Sequence, residues 1–181
     1  MNKINKIIFM GKEKKSTFEA LQFLIKKGIK IEYAIIPENS TYLKDICEKN
    51  KIKILRDIEL YEKINRNEIK DIDLVISFLF WKKIKLPIIN LGKYGCVNFH
   101  PAPLPEYRGV GGYNFAILDN LDYWGVSAHY VDETIDTGKI IEVDRFIIDN
   151  KKIDVKELES LTQNYLLELF KKIIVKFENF K

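Results

Sequence analysis

Short apolar runs alternate with segments of helical period through the first hundred residues, and few folds accommodate that alternation. Lys6-Ile7-Ile8-Phe9-Met10 reads as a buried strand ending at Gly11. Ser16-Thr17-Phe18-Glu19 has the spacing of a capping box. Phe18, Leu21, Leu24 and Ile25 follow at helical period until Gly28 stops the helix. Residues 29–36 predict a second strand closed by Pro37, 41–50 a helix, 52–55 a short strand and 58–69 another helix. Ile72-Asp73-Leu74-Val75-Ile76-Ser77 is a further strand, and residues 95–98 are a fifth. Strands alternating with helices predict an α/β fold with a mostly parallel sheet covered on both faces. Ligands of such sheets gather outside the carboxyl ends of the strands, near the switch in strand order. Residues 11–15, 78–83 and 100–112 are the loops that qualify.

Beyond those loops, residues 113–121 read as a helix, and 126–132 and 139–148 as strands that extend the sheet antiparallel. From Asp154, the residues Val155, Leu158, Leu161, Leu166, Phe170, Ile173, Ile174 and Phe177 mark a long amphipathic terminal helix, with Asp154 and Glu157 as its cap. One domain is expected over residues 1–181, an α/β core in 1–150 followed by the helix in 151–181. The net charge of +4 comes from Lys residues scattered among acidic partners, which describes a solvated surface rather than a nucleic-acid footprint. Cys47 and Cys96 show neither metal-ligand spacing nor a disulfide framework, so no metal and a reducing compartment are expected. The first ten residues are too short, and too soon broken by Gly11 and Lys12, for a signal peptide. No apolar run approaches the ~20 residues needed to span a bilayer. A cytoplasmic protein is expected.

Asn98-Phe99-His100-Pro101 and the downstream Asp136-Thr137-Gly138 carry the chemistry. Side chains two apart on a strand share a face, so Asn98 and His100 look into one space. Asp136 follows the strand-like run 125–131 and is able to close that space with a carboxylate. Imidazole, amide and carboxylate together suit attack on a carbonyl: one group moves protons, one stabilises an oxyanion, one orients the base. An ordinary histidine beside a proline is the competing reading.

Two loops add to this. Phe78-Leu79-Phe80-Trp81 follows a hydrophobic strand, where a flat heterocycle can stack or slot beside aromatic walls; plugging the core under a following helix is the alternative. In residues 100–112, Pro101, Pro103 and Pro105 enforce a rigid, irregular wall. Gly109, Gly111 and Gly112 let backbone amides approach an anion at the start of the next helix. Arg108 is suited to gripping a phosphate or carboxylate, unless it merely pairs with Glu106 or another acid. His129, between Ala128 and Tyr130, reads as a hydrogen-bonded structural histidine. Gly11-Lys12-Glu13-Lys14-Lys15-Ser16 is basic and leads a helix, yet lacks the glycines of a phosphate loop.

Taken together, Asn98-Phe99-His100-Pro101, Leu104-Pro105-Glu106-Tyr107-Arg108-Gly109 and Val131-Asp132-Glu133-Thr134-Ile135-Asp136-Thr137-Gly138 resemble the formyltransferases that use 10-formyltetrahydrofolate. That group includes methionyl-tRNA formyltransferase, glycinamide ribonucleotide formyltransferase and the sugar N-formyltransferases. The resemblance implies a Rossmann-like domain in which Asn98, His100 and Asp136 fall on the family's catalytic residues. It also implies that the pterin lies against Ser77, Phe78, Leu79, Phe80, Trp81 and Lys82, with Asp132, Glu133, Thr134 and Ile135 on its other side. Arg108, Gly109, Gly111, Gly112 and Tyr113 then face the acceptor.

Departures narrow the acceptor. Ala102 and Pro103 stand where many relatives have Ser and Leu, which alters the wall and not the chemistry. A glycine-rich phosphate loop is missing after the first strand, which counts against glycinamide ribonucleotide. Only one helix is expected after Asn150, leaving no room for a tRNA-holding domain. Tyr-Arg-Gly-Val-Gly-Gly-Tyr-Asn, residues 107–114, looks most like enzymes acting on nucleotide-linked amino sugars. The resemblance therefore implies N-formylation of a small amine, with hydrolysis of 10-formyltetrahydrofolate, methionyl-tRNA formylation, or folate binding without turnover as alternatives. Tyr123 and Trp124 either line an acceptor pocket or pack under a helix, and the assembly is either monomer or homodimer.

Overall fold

The computed structural model describes residues 4–149 and 151–179. The first three residues, the expected boundary at Asn150 and the last two residues of the terminal helix segment lie outside them. The parallel half of the chain consists of β1 (Lys6–Gly11), α1 (Lys15–Lys26), β2 (Lys30–Ile35), α2 (Tyr42–Lys49), β3 (Lys53–Ile54), α3 (Asp57–Asn65), β4 (Leu74–Phe78) and β5 (Cys96–His100). There follow α4 (Gly112–Leu118), β6 (Tyr123–Tyr130), β7 (Ile140–Ile147) and α5 (Val155–Glu178).

These strands form one sheet in the order β3-β2-β1-β4-β5-β6-β7. Strands β1 to β5 run parallel, and β6 and β7 are antiparallel. The fold is a Rossmann-like α/β sheet with an antiparallel extension and a C-terminal helix, as the alternation predicts. The order in which strands are added reverses at β1, with β2 on one side and β4 on the other, so the switch point lies between β1 and β4.

Alternation along the strands explains why helices cover both faces. In β1, Ile7 and Phe9 join the larger core layer with Leu21 and Leu24 of α1, Leu43 of α2 and Phe170 of α5. Ile8 and Met10 enter a second layer with Leu60 of α3 and Ile88. A strand buried on both faces needs an uninterrupted apolar run, and Ile7-Ile8-Phe9-Met10 is one. At the centre of the larger layer, the Phe170 ring lies 5.4 Å from Phe78 and 4.9 Å from Phe99, both edge-on.

Helix α5 carries its expected cap: Asp154 accepts from the Glu157 amide at 2.8 Å while Glu157 accepts from the Asp154 amide at 3.2 Å. The capping box expected at Ser16 does not form. Helix α1 begins two residues earlier, at Lys15, with Lys14 in the N-cap position, and the Ser16 hydroxyl reaches Gln163 of α5 at 3.0 Å instead. A tertiary hydrogen bond has taken the side chain that a local cap would have used. Helix α3 stops at Asn65 instead of 69, because Asn67 turns left-handed at φ 56°, a conformation asparagine tolerates. The short third strand shrinks to two residues at the sheet edge.

Phe170→Ala is expected to lower unfolding free energy by about 3–5 kcal/mol, the usual cost of a large buried aromatic cavity. Ile147→Ala, at a side chain 89% exposed on the edge strand, is expected to change it by less than about 0.5 kcal/mol. Urea denaturation of the two variants measures both.

Candidate active site

Strand register assembles the first part of the site. Ser77 of β4 pairs with Asn98 of β5, and Asn98 pairs with His129 of β6. Directly opposed residues on adjacent strands share a face, so the three side chains form a row across the sheet. The Ser77 hydroxyl donates to Asn98 Oδ1 at 2.7 Å, which turns Asn98 Nδ2 toward His129 Nε2 at 3.1 Å. His129 Nδ1 lies 2.8 Å from the Tyr130 carbonyl and therefore carries a proton. A lone pair on Nε2 accepts from Asn98, whereas a second proton there would turn toward Asp136 at 3.3 Å.

Asp136 arrives from the loop 131–139, which folds back over this row. The Asp132 carboxylate ties that loop to itself by accepting from the Thr134 amide at 3.0 Å and the Thr137 hydroxyl at 2.7 Å. At Gly138 a Cβ would lie 1.8 Å from the Tyr130 carbonyl oxygen, so only glycine fits. Asp136 itself is left-handed, at φ 52°. Its Oδ1 lies 3.4 Å from Asn98 Nδ2. Its Oδ2 lies 3.4 Å from His100 Nδ1 and accepts the Gly109 amide at 2.9 Å.

Electrostatics follow from this packing. Burial pushes the Asp136 carboxyl up, but the two imidazoles and the Gly109 amide outweigh it, and the group is held below the ordinary aspartate value. Burial lowers the His100 pKa below its ordinary value despite the opposing charge of Asp136. At neutral pH the site therefore pairs an ionised carboxylate with a neutral imidazole. His100 Nε2 lies 2.8 Å from the Tyr107 carbonyl, which places its proton on Nε2 and leaves the lone pair on Nδ1, facing Asp136.

These groups open onto a cavity of about 460 Å³ at the carboxyl ends of β1, β4 and β5. All three loops singled out from the sequence contribute to it. Asn98, His100 and Asp136 line it together. Of the residues expected against a pterin, Ser77, Leu79, Phe80, Trp81 and Lys82 line one wall, and Asp132, Thr134 and Ile135 line the other. Phe78 does not: it is fully buried, on the opposite side chain phase from Ser77, and packs on Phe99 and Phe170. Glu133 is exposed outside the cavity. Gly109, Gly111, Gly112 and Tyr113 face the cavity, but Arg108 is exposed and does not. Nor does Glu106 hold Arg108, because Glu106 pairs with Arg145 of β7.

His129 was not expected here; its apolar neighbours point to the core, and only the register with Asn98 reveals that it faces the cavity. Lys12, Lys14, Glu159 and Gln163 also line it. Lys14 and Glu159 form an ion pair at 2.9 Å, and Gln163 donates to Glu159 at 3.2 Å. Neither α5 residue carries a local signal, since both sit on the polar face of an amphipathic helix. Trp124 is buried, 5.0 Å from the Tyr107 ring, and Tyr123 is exposed; neither enters the cavity.

The family model described as formyl transferase matches residues 6–173. Methionyl-tRNA formyltransferase of Syntrophomonas wolfei is 29% identical over 136 residues, covering 74% of this chain and 43% of that protein. The N-formyltransferase of Helicobacter canadensis, solved with folinic acid and dTDP-3-aminofucose, superposes with a TM-score of 0.77 at 26% identity over 95% of this chain and 64% of that one. WlaRD, a sugar 3N-formyl transferase solved with dTDP and 5-N-formyl-THF, gives 0.78 at 30% identity, covering 97% and 64%. The chain spans less than two thirds of the length of each of these proteins. With the family model matched from the first strand into the terminal helix, the chain belongs to the formyl transferase family.

Proposed function

We propose that the protein transfers the formyl group of 10-formyltetrahydrofolate to the amine of a small acceptor, a nucleotide-linked amino sugar. The observation that carries this reading is the convergence of Asn98, His100 and Asp136 on one cavity, within 3.4 Å of one another through Asp136. Formyl-folate ligands in the Helicobacter canadensis enzyme and in WlaRD support the donor, and their dTDP ligands support the acceptor class. A cytoplasmic setting belongs to the same reading, since Cys47 and Cys96 are both buried free thiols. Among the described residues no helix is long and apolar enough to cross a membrane.

In the reaction, the acceptor nitrogen attacks the formyl carbon, the bond from that carbon to folate N10 breaks, and one proton passes from the amine to N10. His100 carries that proton. Its Nδ1 is unprotonated at rest because burial disfavours the imidazolium, and Asp136 stabilises the imidazolium once the proton arrives. Asn98 stabilises the oxyanion: one of its N–H groups is held by His129, while only a 3.4 Å contact engages the other. The curated relatives named methionyl-tRNA formyltransferase favour a second acceptor, the amine of a charged tRNA.

Incubation with 10-formyltetrahydrofolate, following tetrahydrofolate release with and without amines, tests the function. Release that depends on an amino-sugar nucleotide is expected. Dependence on methionyl-tRNA selects the second acceptor, amine-independent release indicates a hydrolase, and folate binding without release ends the enzyme reading. His100→Ala is expected to abolish turnover while folate affinity, measured by calorimetry, stays within a few fold. Asn98→Ala is expected to lower kcat by about 10²–10³, the usual cost of one oxyanion donor.

The pH profile follows from the sign of the His100 shift. The base must be neutral to act, and its pKa is lowered, so kcat/KM is expected to be flat near neutrality and to fall only below pH 6.5. Asp136 opposes that lowering, so Asp136→Asn is expected to move the acid limb to still lower pH while reducing the plateau. Stopped-time assays across pH 4.5–8 (a range of about 3.5 units bracketing free histidine) distinguish the two effects.

A further inference from the structure

We infer that Ser77 is a positioning residue for the oxyanion donor: its hydroxyl holds the Asn98 amide with the N–H end, and not the carbonyl end, toward Asp136. This rests on the role proposed for Asn98 above. A primary amide has one accepting and one donating end of nearly the same shape, so packing does not choose between them. Hydrogen-bond partners must. The choice matters because an N–H group stabilises a developing oxyanion and a carbonyl oxygen repels it.

A chain of bonds across β6, β5 and β4 makes that choice. It starts at the Tyr130 carbonyl, which can only accept, so His129 Nδ1, 2.8 Å away, carries the ring proton. His129 Nε2 is then left with a lone pair and accepts from Asn98 Nδ2 at 3.1 Å. With that end committed, Asn98 Oδ1 points to β4 and accepts from the Ser77 hydroxyl at 2.7 Å. The Asp136 carboxylate, 3.4 Å from Nδ2, rejects the carbonyl end as well. Register supports the whole row, because Ser77 lies opposite Asn98, and Asn98 opposite His129.

Among the described residues, Ser77 is the only partner of Asn98 Oδ1. Ser77 and His129 are each 2% exposed, so both ends of the chain are shielded from bulk water. A carbonyl oxygen that loses its donor in such a place is costly to leave alone. The amide then swings about its last bond, and the N–H end loses its aim. Ser77 also lines the wall on which the formyl donor is placed, so direct contact with that donor is the competing role. The two roles differ in one respect: only the first acts through Asn98.

Ser77→Thr and Ser77→Val introduce side chains of one shape, both suited to a strand, that differ in the hydroxyl. The kcat of Ser77→Val is expected to fall about tenfold below that of Ser77→Thr, the effect of one buried hydrogen bond. Combined with Asn98→Ala, the same two substitutions are expected to differ by less than about twofold, because the group through which the hydroxyl acts is gone. A gap that persists there means the hydroxyl meets the donor directly, and it overturns the inference. So does the absence of a gap with Asn98 in place. Should crowding prevent both variants from folding, as read by circular dichroism, Ser77→Ala and the parent serve as the pair.

A measurement without substrates keeps this separate from the function on which it rests. The chain has two histidines, so nitrogen NMR spectra of the unliganded protein distinguish the two rings. In Ser77→Val the His129 Nε2 resonance is expected to move toward that of an unbonded imidazole nitrogen, and in Ser77→Thr to keep its parent position. If no amine supports turnover in the parent, the proposed function fails; an unmoved Nε2 resonance in Ser77→Val overturns the inference by itself.

Discussion

A carboxylate taken out of water tends to pick up a proton, and Asp136 is placed so that it does not. Two imidazoles, a side-chain amide and a backbone N–H surround its two oxygens. These groups come from three parts of the chain: Asn98 and His100 from β5, His129 from β6, Gly109 from the proline-rich loop. The ionised carboxylate is thus the point at which sheet, loop and loop are tied together. Were it neutral, His100 would lose the charge that makes its protonated form accessible, and the Gly109 amide would face a weaker acceptor. The electrostatics of the candidate site and the placement of the loop depend on the same charge.

The parallel sheet alone would not produce this arrangement. Its parallel strands set Ser77 opposite Asn98 and go no further. Reversing direction at β6 puts His129 directly across from Asn98. It also sends the chain out of β6 on the side from which it must fold back, and that return carries Asp136 over the row. The antiparallel extension is therefore part of the site rather than an appendage to it, and Gly138, pressed against the Tyr130 carbonyl, is where the return becomes tight enough to work.

How much of this was readable in the residues depends on the range of the interaction. Apolar runs such as Ile7 to Met10 give strands directly, because burial on both faces demands them. Asn98 and His100 were readable as a pair because strand alternation is local. Asp154 and Glu157 were readable as a cap for the same reason. Ser16 was misread as a cap because its partner, Gln163, is 147 residues away. His129 was readable as a hydrogen-bonded histidine, and it is one, buried between Asn98 and the Tyr130 carbonyl; that it also faces the cavity is a property of register, which no window of residues contains. Phe78 and Arg108 were misassigned through proximity: both neighbour site residues in sequence, yet strand phase sends Phe78 to the core, and Arg108 is left exposed. Glu159 and Gln163 left no trace, since a polar residue that faces a cavity looks like one that faces water.

Helix α5 shows why such residues escape notice. Its apolar side supplies Phe170, Ile173 and Ile174 to the larger core layer, and its polar side does two separate jobs. Toward the cavity, Glu159 and Gln163 bind the loop after β1. Toward the sheet edge, Lys172 and Lys176 pair with Glu142 of β7, and Lys172 also reaches Asp144 at 3.4 Å. Exposed ion pairs of that second kind contribute little each. Their effect is to orient: they join the helix to the antiparallel strand that follows the Asp136 loop, while the first turns of the same helix hold the opposite side of the cleft. A rigid helix in contact with both sides limits how far they can move apart. In a candidate site held by contacts near 3.4 Å, that restriction keeps the row on the sheet and the lysine-bearing loop before α1 at one cavity.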